Sequence, residues 1–189
     1  MTFKERYLRG DCPMDVLNDW VEVWRANDFD YQKLPHVLGL TEDEYRLWAI
    51  VGDEALAKQL AGSVDVPYVA LHLDWDTLTR RLKELVQSLL GEKYGISIRR
   101  MDYYYWDLKL SAPDAIDEAA NDRICELLEL EDMDAGHFVW LDDVGNTQLN
   151  GLLSKLLQRE VTSNHADDYG VWLICKDGRL PVKSVENGG

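Results

Sequence analysis

Residues 68–91, YVALHLDWDTLTRRLKELVQSLLG, contain the change of hydrophobic period that decides the fold class. In the first part, YVALHLDW, the residues Val69, Leu71 and Leu73 lie on one face of an alternating pattern, which predicts a strand. In the remainder, apolar residues recur at helical spacing and Gly91 supplies a stop signal, which predicts an amphipathic helix. The face of this helix that is predicted to point inward contains Leu78, Leu82, Leu85, Val86 and Leu89.

Upstream of this stretch, residues 1–61 have a helical pattern. Two capping boxes, Thr2 with Glu5 and Thr41 with Glu44, predict helix starts. In each box the Thr hydroxyl and the Glu carboxylate can accept backbone N–H groups that are otherwise unpaired at the helix N-terminus. A buried stripe at helical spacing is predicted for Met14, Leu17, Val21 and Trp24. Residues 61–67, AGSVDVP, are small and polar and are interpreted as a linker.

Downstream, strand and helix patterns alternate. Residues 96–111, ISIRRMDYYYWDLKLS, predict one long strand or a bent pair, and residues 137–141, HFVWL, predict a short strand. Residues 170–176, GVWLICK, predict a final strand before an Asp177–Gly178 turn. The segments with helical periodicity are 114–130, DAIDEAANDRICELLEL, and 146–160, NTQLNGLLSKLLQRE.

These patterns predict an α+β fold. An N-terminal helical subdomain (1–61) is followed by an α+β domain (67–180), in which a small mixed sheet packs with about three helices, and by a flexible tail (181–189). A fully parallel α/β sheet is disfavoured because residues 96–111 are too polar for burial on both faces.

The chain is strongly acidic, with 35 Asp and Glu against 20 Lys and Arg and a net charge of −15. Such a chain repels the phosphate backbone, so direct nucleic-acid binding is not expected, whereas basic protein surfaces are natural partners. Three widely spaced cysteines predict free thiols in a reducing compartment. The charged N-terminus is not that of a signal peptide and no apolar stretch has membrane-spanning length, so we expect a cytoplasmic protein without a membrane partner.

Two thirds of the net negative charge is concentrated in residues 114–143, where Arg123 is the single Lys or Arg. The acids of this segment are Asp114, Asp117, Glu118, Asp122, Glu126, Glu129, Glu131, Asp132, Asp134, Asp142 and Asp143. Four of them are at i, i+4 spacing, about 6 Å apart along a helix: Asp114, Glu118, Asp122 and Glu126. Like charges at this spacing cost about 0.2–0.5 kcal/mol per pair, so helix stability does not explain them.

Two interpretations of this segment stay open. A solvated helix face is the simpler one, and the preference of acids for a helix N-terminus accounts for the first three of them. The other is a row of carboxylates that imitates nucleic-acid phosphates and binds the basic groove of a nucleic-acid-handling protein. In that case Tyr103 and Tyr105, predicted on the face of their strand away from the core, add aromatic anchors.

Catalytic signals are weak. Asp107 and Lys109, two apart on a probable strand, with Asp74 or Asp76, are consistent with a metal-dependent nuclease, but such an enzyme needs a basic substrate surface. His165 with Asp167 and Asp168 forms the only local histidine cluster and is interpreted as a polar loop. We therefore expect no catalytic residues, no metal ligands and no cofactor.

The first third of the chain resembles a helical segment of many small uncharacterised proteins of gut Firmicutes, which are frequent on phage and conjugative elements. The shared pieces are FKERYL (3–8), an acid- and Trp-rich helix, and LGLTEDEY (38–45) with a following Trp. Small acidic proteins of such elements often counteract host defence. The resemblance thus implies a non-enzymatic, anti-CRISPR-type inhibitor of a CRISPR effector nuclease. The alternatives are the metal-dependent nuclease and a regulatory protein-interaction module that binds through its N-terminal helices.

Overall fold

The structure is a computed structural model that describes residues 1–27, 30–100, 105–111, 119, 122, 123, 125, 126 and 138–180. For residues 31, 99, 100, 105–111 and 138–146 it describes the backbone. The predicted tail, 181–189, lies outside these residues.

Helices occupy most of the first 61 residues, as predicted. The α-helices of the described residues are α1 (Phe3–Leu8), α2 (Leu17–Asn27), α3 (Leu34–Leu38), α4 (Glu42–Val51), α5 (Asp53–Leu60), α6 (Trp75–Leu90) and α7 (Asn146–Leu157). Short 3-10 helices, Met14–Val16 and Tyr31–Lys33, precede α2 and α3. Residues 119, 122, 123, 125 and 126 are also helical.

Six strands follow or separate these helices in the part of the chain that the structure describes, and the α+β prediction is confirmed. The strands are β1 (Tyr68–Asp74), β2 (Gly95–Arg100), β3 (Tyr105–Ser111), β4 (Phe138–Gly145), β5 (Arg159–Ala166) and β6 (Gly170–Arg179). They form two three-stranded sheets, with the orders β1-β6-β5 and β2-β3-β4.

The chain forms two compact units that are not successive stretches of sequence. The first contains Met1–Leu71 and Ile174–Asp177, and the second contains His72–Leu173 and the residues from Gly178 onward. The predicted domain boundaries at residues 61, 67 and 180 stay predictions.

In the first unit, both predicted capping boxes are confirmed. The Thr2 and Thr41 hydroxyls accept the N–H groups of Glu5 and Glu44, and the Glu5 and Glu44 carboxylates accept the N–H groups of Thr2 and Thr41. The predicted stripe is confirmed too, because Leu17 and Val21 are buried and Met14 and Trp24 pack against the same core. The other buried side chains of this core are Phe3, Leu34, Leu38, Leu40 and Leu56.

Helix side chains of the first unit also cover the edge strand β1. The Asp43 carboxylate accepts the Ala70 N–H at 3.1 Å, and the Gln59 amide oxygen accepts the Tyr68 N–H at 3.3 Å. An edge strand with free N–H groups invites pairing with other chains. These two side chains therefore satisfy part of that edge within the molecule.

The core of the second unit lies between α6, α7 and the strands that follow them in sequence. Leu78, Leu82 and Val86 of α6 are fully buried, and α6 packs against β2 and α7. Helix α7 packs against β3, β4 and β5 and contributes a buried group of its own, Leu149, Leu152 and Leu153. The Ser154 hydroxyl of α7 accepts the Val161 N–H of β5 at 2.9 Å, which joins the helix to that strand.

The segment predicted as one long strand or a bent pair is a pair. Strands β2 and β3 are antiparallel, with Gly95 opposite Ser111 and Arg100 opposite Trp106. Strand β4 continues the sheet on the other side of β3 and is longer than the predicted HFVWL strand.

Three local predictions are wrong. Helix α7 ends at Leu157 and not at residue 160, because Gln158 has a left-handed φ of 52° and the chain turns into β5. The Asp177–Gly178 turn is absent, since β6 continues to Arg179 and the Asp177 N–H donates to the Pro67 carbonyl at 2.7 Å. Leu89, predicted inward, is 45% exposed at the end of α6.

Candidate functional site

The described part of the acidic segment is a short helical stretch. Asp122 and Glu126 are helical and exposed, one turn apart. Tyr105, Asp142 and Asp143 are placed by their backbone alone, the first at the start of β3 and the others in β4. The remaining predicted partner-binding residues lie outside the described residues: Tyr103, Asp114, Asp117, Glu118, Glu129, Glu131, Asp132 and Asp134.

The Asp122 and Glu126 carboxylates face water without an internal counter-ion. Neither has an ion-pair partner within the described part of the chain. Helical geometry separates residues at i and i+4 by about 6 Å along the axis. Two carboxylates at this spacing form a local anionic surface, which we call the acidic face.

The two bases next to the acidic face hold backbone carbonyl groups. Arg123 donates from Nε to the Ala119 carbonyl at 3.1 Å and from Nη1 to the Leu89 carbonyl at 3.4 Å. Lys155 of α7 donates from Nζ to the Glu126 carbonyl at 2.7 Å. These bonds attach the helical stretch to α6 and α7, and they place the positive charges of Arg123 and Lys155 beside the two carboxylates.

An open cavity of about 390 Å³ adjoins the acidic face. It is lined by Leu85 and Leu89 of α6 together with Arg123, Glu126 and Lys155. The exposure of Leu89 is explained by this cavity, because its side chain lines a recess of the surface and not the core. The recess thus combines two apolar side chains with the charged groups of Arg123, Glu126 and Lys155.

A β-bulge brings three further acids to one region of the β2-β3-β4 sheet. Trp106 lies opposite Val144 and Leu108 lies opposite Leu141, so the two residues Asp142 and Asp143 of β4 oppose the single residue Asp107. On the other side of β3, Asp107 lies opposite Arg99. Bulges often re-aim side chains near functional sites.

Asp74, a candidate nuclease ligand, belongs to the other sheet. Its carboxylate caps α6 by accepting the Thr77 N–H at 2.8 Å, and this backbone hydrogen bond holds the pKa of Asp74 below its usual range. Asp76 lies in the first turn of the same helix. The structure therefore does not bring Asp74 to the register positions of Asp107 and Lys109.

The sequence predicts a cluster of His165, Asp167 and Asp168, but the structure surrounds Asp167 with other residues. The Asp167 Oδ1 atom accepts the N–H groups of Tyr169 and Gly170 at 2.8 and 2.9 Å, and Oδ2 accepts the Trp172 indole N–H at 3.1 Å. The histidine beside it is His72, whose Nε2 lies 3.7 Å from Oδ1 and whose ring packs on Trp172. Asp167 thus organises the β5–β6 turn.

The pKa of Asp167 reflects several opposing influences. Partial burial is the largest and favours the neutral acid. The N–H groups of Tyr169 and Gly170, His72 and the Trp172 indole favour the carboxylate, and together they hold the pKa below its ordinary value. The carboxylate form therefore stabilises the turn at neutral pH.

The described residues contain no group of three or more His, Cys, Asp or Glu side chains that could hold a metal ion. Within those same residues, none of the helices combines the length and the apolar character that crossing a bilayer requires.

The sequence matches no protein-family model, and comparison with curated proteins and with solved structures finds no significant similarity. The site is accordingly defined by its own geometry, as an exposed anionic helix face beside an apolar recess. The charge of this face was visible in the sequence. The recess and the two bases bound to carbonyl groups were not, because they depend on contacts between residues far apart in the chain.

Proposed function

We propose that this protein is a non-enzymatic acidic inhibitor that binds a basic nucleic-acid-handling protein through residues 114–143. The observation that carries the proposal is the pair of exposed carboxylates, Asp122 and Glu126, one helical turn apart in a segment with eleven acids and one arginine. A basic groove that normally holds phosphates presents the complementary charge.

The target of this proposal is a CRISPR effector nuclease. Such enzymes hold a guide–target duplex in a positively charged channel and recognise its backbone more than its sequence. A row of carboxylates can occupy such a channel, and the resemblance of the first third to mobile-element proteins supports a counter-defence role. Long-range attraction between the two charged surfaces then mainly accelerates association.

The test is a charge reversal at the acidic face. Wild-type protein is added to a purified CRISPR effector nuclease loaded with guide RNA, and cleavage of target DNA is measured. The variant Asp122→Lys/Glu126→Lys changes two exposed residues and leaves the core intact. Loss of two interfacial charge pairs costs on the order of 2 kcal/mol of binding free energy, so we expect about thirtyfold weaker inhibition.

A matched control separates the acidic face from net charge. Asp65 and Glu92 are exposed acids outside helices and strands, and Asp65→Lys/Glu92→Lys changes the net charge by the same amount. This control should inhibit within about twofold of wild type. If both variants weaken inhibition equally, the effect is caused by net charge, and the proposed binding surface is contradicted.

A second assay addresses the enzymatic alternative. The purified protein is incubated with DNA or RNA and Mg²⁺ or Mn²⁺ at high protein concentration. We expect no cleavage. Cleavage that disappears in Asp107→Asn would instead establish the metal-dependent nuclease and overturn the non-enzymatic proposal.

A further inference from the structure

The first unit has a groove that its own fold does not fill. The groove has a volume of about 560 Å³ and is formed by Arg6 of α1, by the loop residues Asp11 and Cys12, and by one side of α2. This volume lies in the range of roughly 300–1,000 Å³ that is typical of binding sites. We call it the N-terminal groove.

Its floor is a second apolar stripe along α2 and the turn before it. Val16, Trp20 and Val23 stand at i, i+4 and i+7, and all three line the groove. The stripe that holds α2 in the core is a different one and contains Leu17 and Val21. A surface helix needs one apolar stripe to pack. Val16 and Trp20 of the second stripe also pack, partly buried, against this core, whereas Val23 is 64% exposed. The part of the stripe that the core leaves uncovered faces the groove.

The floor is held rigidly by the core beneath it. The Trp20 ring packs edge-on against Phe3, which is fully buried, with ring centroids 6.3 Å apart. The Arg6 guanidinium lies 6.0 Å from the centre of the Trp20 ring. A preformed aromatic floor is typical of interface anchors, because little side-chain entropy is lost on binding.

The rim of the groove selects the charge of its partner. Asp11, Asp19 and Arg6 are all exposed at the rim, so the described lining has one more acid than bases. The chain as a whole has a charge of −15. Nucleic acid, an anionic membrane surface and a second copy of this chain are all repelled by such a field. A cationic protein segment is attracted.

We propose that the N-terminal groove binds an amphipathic helix of a partner protein, with apolar side chains on the Val16–Trp20–Val23 floor and Lys or Arg residues against Asp11 and Asp19. This mode of binding is helix-in-groove recognition, in which apolar side chains at helical spacing on the partner helix contact the groove. The groove lies in a different unit from the acidic face, and the proposal holds whether or not the acidic face is an inhibitor surface.

The probe is a synthetic peptide with Leu on one helical face and Lys on the other, together with a twin in which every Lys is Glu. Binding to the full-length protein is measured by fluorescence anisotropy. We expect a Kd in the micromolar range for the Lys peptide and at least about tenfold weaker binding for the Glu twin. No binding of the Lys peptide, or equal binding of the twin, would overturn the proposal.

The position of the bound peptide can be determined from which cysteine thiol it protects from alkylation. Cys12 lines the groove and is half-buried, and Cys125 is a half-buried thiol next to the acidic face. Alkylation of each thiol by iodoacetamide is followed by mass spectrometry, with and without the Lys peptide. The proposal expects protection of Cys12 and an unchanged rate at Cys125. Protection of Cys125 alone would place the peptide on the acidic face and refute the groove.

A matched pair of variants tests the floor. Val23→Arg adds a charge in the groove, while Val51→Arg makes the same change at an exposed valine of α4, 49% exposed, that does not line the groove. We expect at least about tenfold weaker peptide binding for the first and less than twofold change for the second. Equal effects of the two would refute the groove. Sedimentation gives a further test. If the wild-type protein is a dimer and the Val23→Arg variant is a monomer, the occupant of the groove is a second copy of this chain, and the proposal is refuted.

Discussion

Replacement of Gly170 by alanine should destabilise the protein by an amount that the structure determines. A Cβ atom at this position would lie 2.7 Å from the Asp74 Cα and 2.8 Å from the Leu73 carbonyl carbon, and nearer still to the Leu73 carbonyl oxygen. All of these are backbone atoms, so no side-chain rotation can relieve the overlap. The strands must move apart by about 1 Å, and we expect the upper end of the overpacking range, about 3 kcal/mol.

Two smaller effects modify this magnitude. The displacement also strains the bond from the Trp75 N–H to the Tyr169 carbonyl, now 3.3 Å long, whose loss costs about 1 kcal/mol. In the opposite direction, alanine restricts the unfolded chain and stabilises the native state by about 0.4–1 kcal/mol. These nearly cancel, so the loss stays about 3 kcal/mol and Tm should fall by about 6–12 °C for a chain of this size.

Thermal and urea unfolding followed by circular dichroism measure the change. Tyr169→Ala is the control, because this neighbouring side chain is 79% exposed and its removal should change the free energy of unfolding by less than about 0.5 kcal/mol. A loss below about 1 kcal/mol for Gly170→Ala would show that β1 and the β5–β6 turn are not in close backbone contact, and the reasoning would fail.

Three other variants give distinct signatures. Ser154→Ala removes the acceptor of the buried Val161 N–H and should cost about 1–2 kcal/mol in urea unfolding. Asp167→Asn should cost on the order of 1 kcal/mol at neutral pH, since the side chain is partly exposed. Because the folded-state pKa of Asp167 is lowered, its stabilising effect is complete above the ordinary value of 3.8 and is lost as pH falls through the folded-state pKa, so the two unfolding curves should converge in acid. Arg123→Gln should lower stability by about 1 kcal/mol, yet tighten binding to a basic target about threefold in a titration, because it removes a repulsion that is on the order of 0.7 kcal/mol in water for a target cation roughly 6 Å away.

The local parts of the fold could be predicted from the sequence because their causes are local. A capping box joins residues three apart, and Thr2 with Glu5 and Thr41 with Glu44 form as their spacing predicts. The buried stripe of α2 follows in the same way from helical periodicity.

The failed predictions concern long-range pairing. Asp177–Gly178 is a strong local turn signal, but hydrogen bonding of Asp177 to Pro67 keeps the chain extended. Strand β5 was missed because the preceding helix ends at Gln158 in a left-handed conformation that glycine or asparagine usually adopts. No local pattern distinguishes such an end from a continuing helix.

For the site, the sequence reveals how much charge is present but not how the charge is balanced. Arg123 is next to Asp122 and three residues before Glu126, and Lys155 is 29 residues from Glu126 in sequence. In the structure Arg123 donates to the Ala119 and Leu89 carbonyl groups, and Lys155 donates to the Glu126 carbonyl. Leu89 lies near the end of α6, where the helix dipole favours a cation. The charge distribution that a partner meets therefore depends on which bases the fold places beside the acids, and a count of charges along the chain does not supply that information.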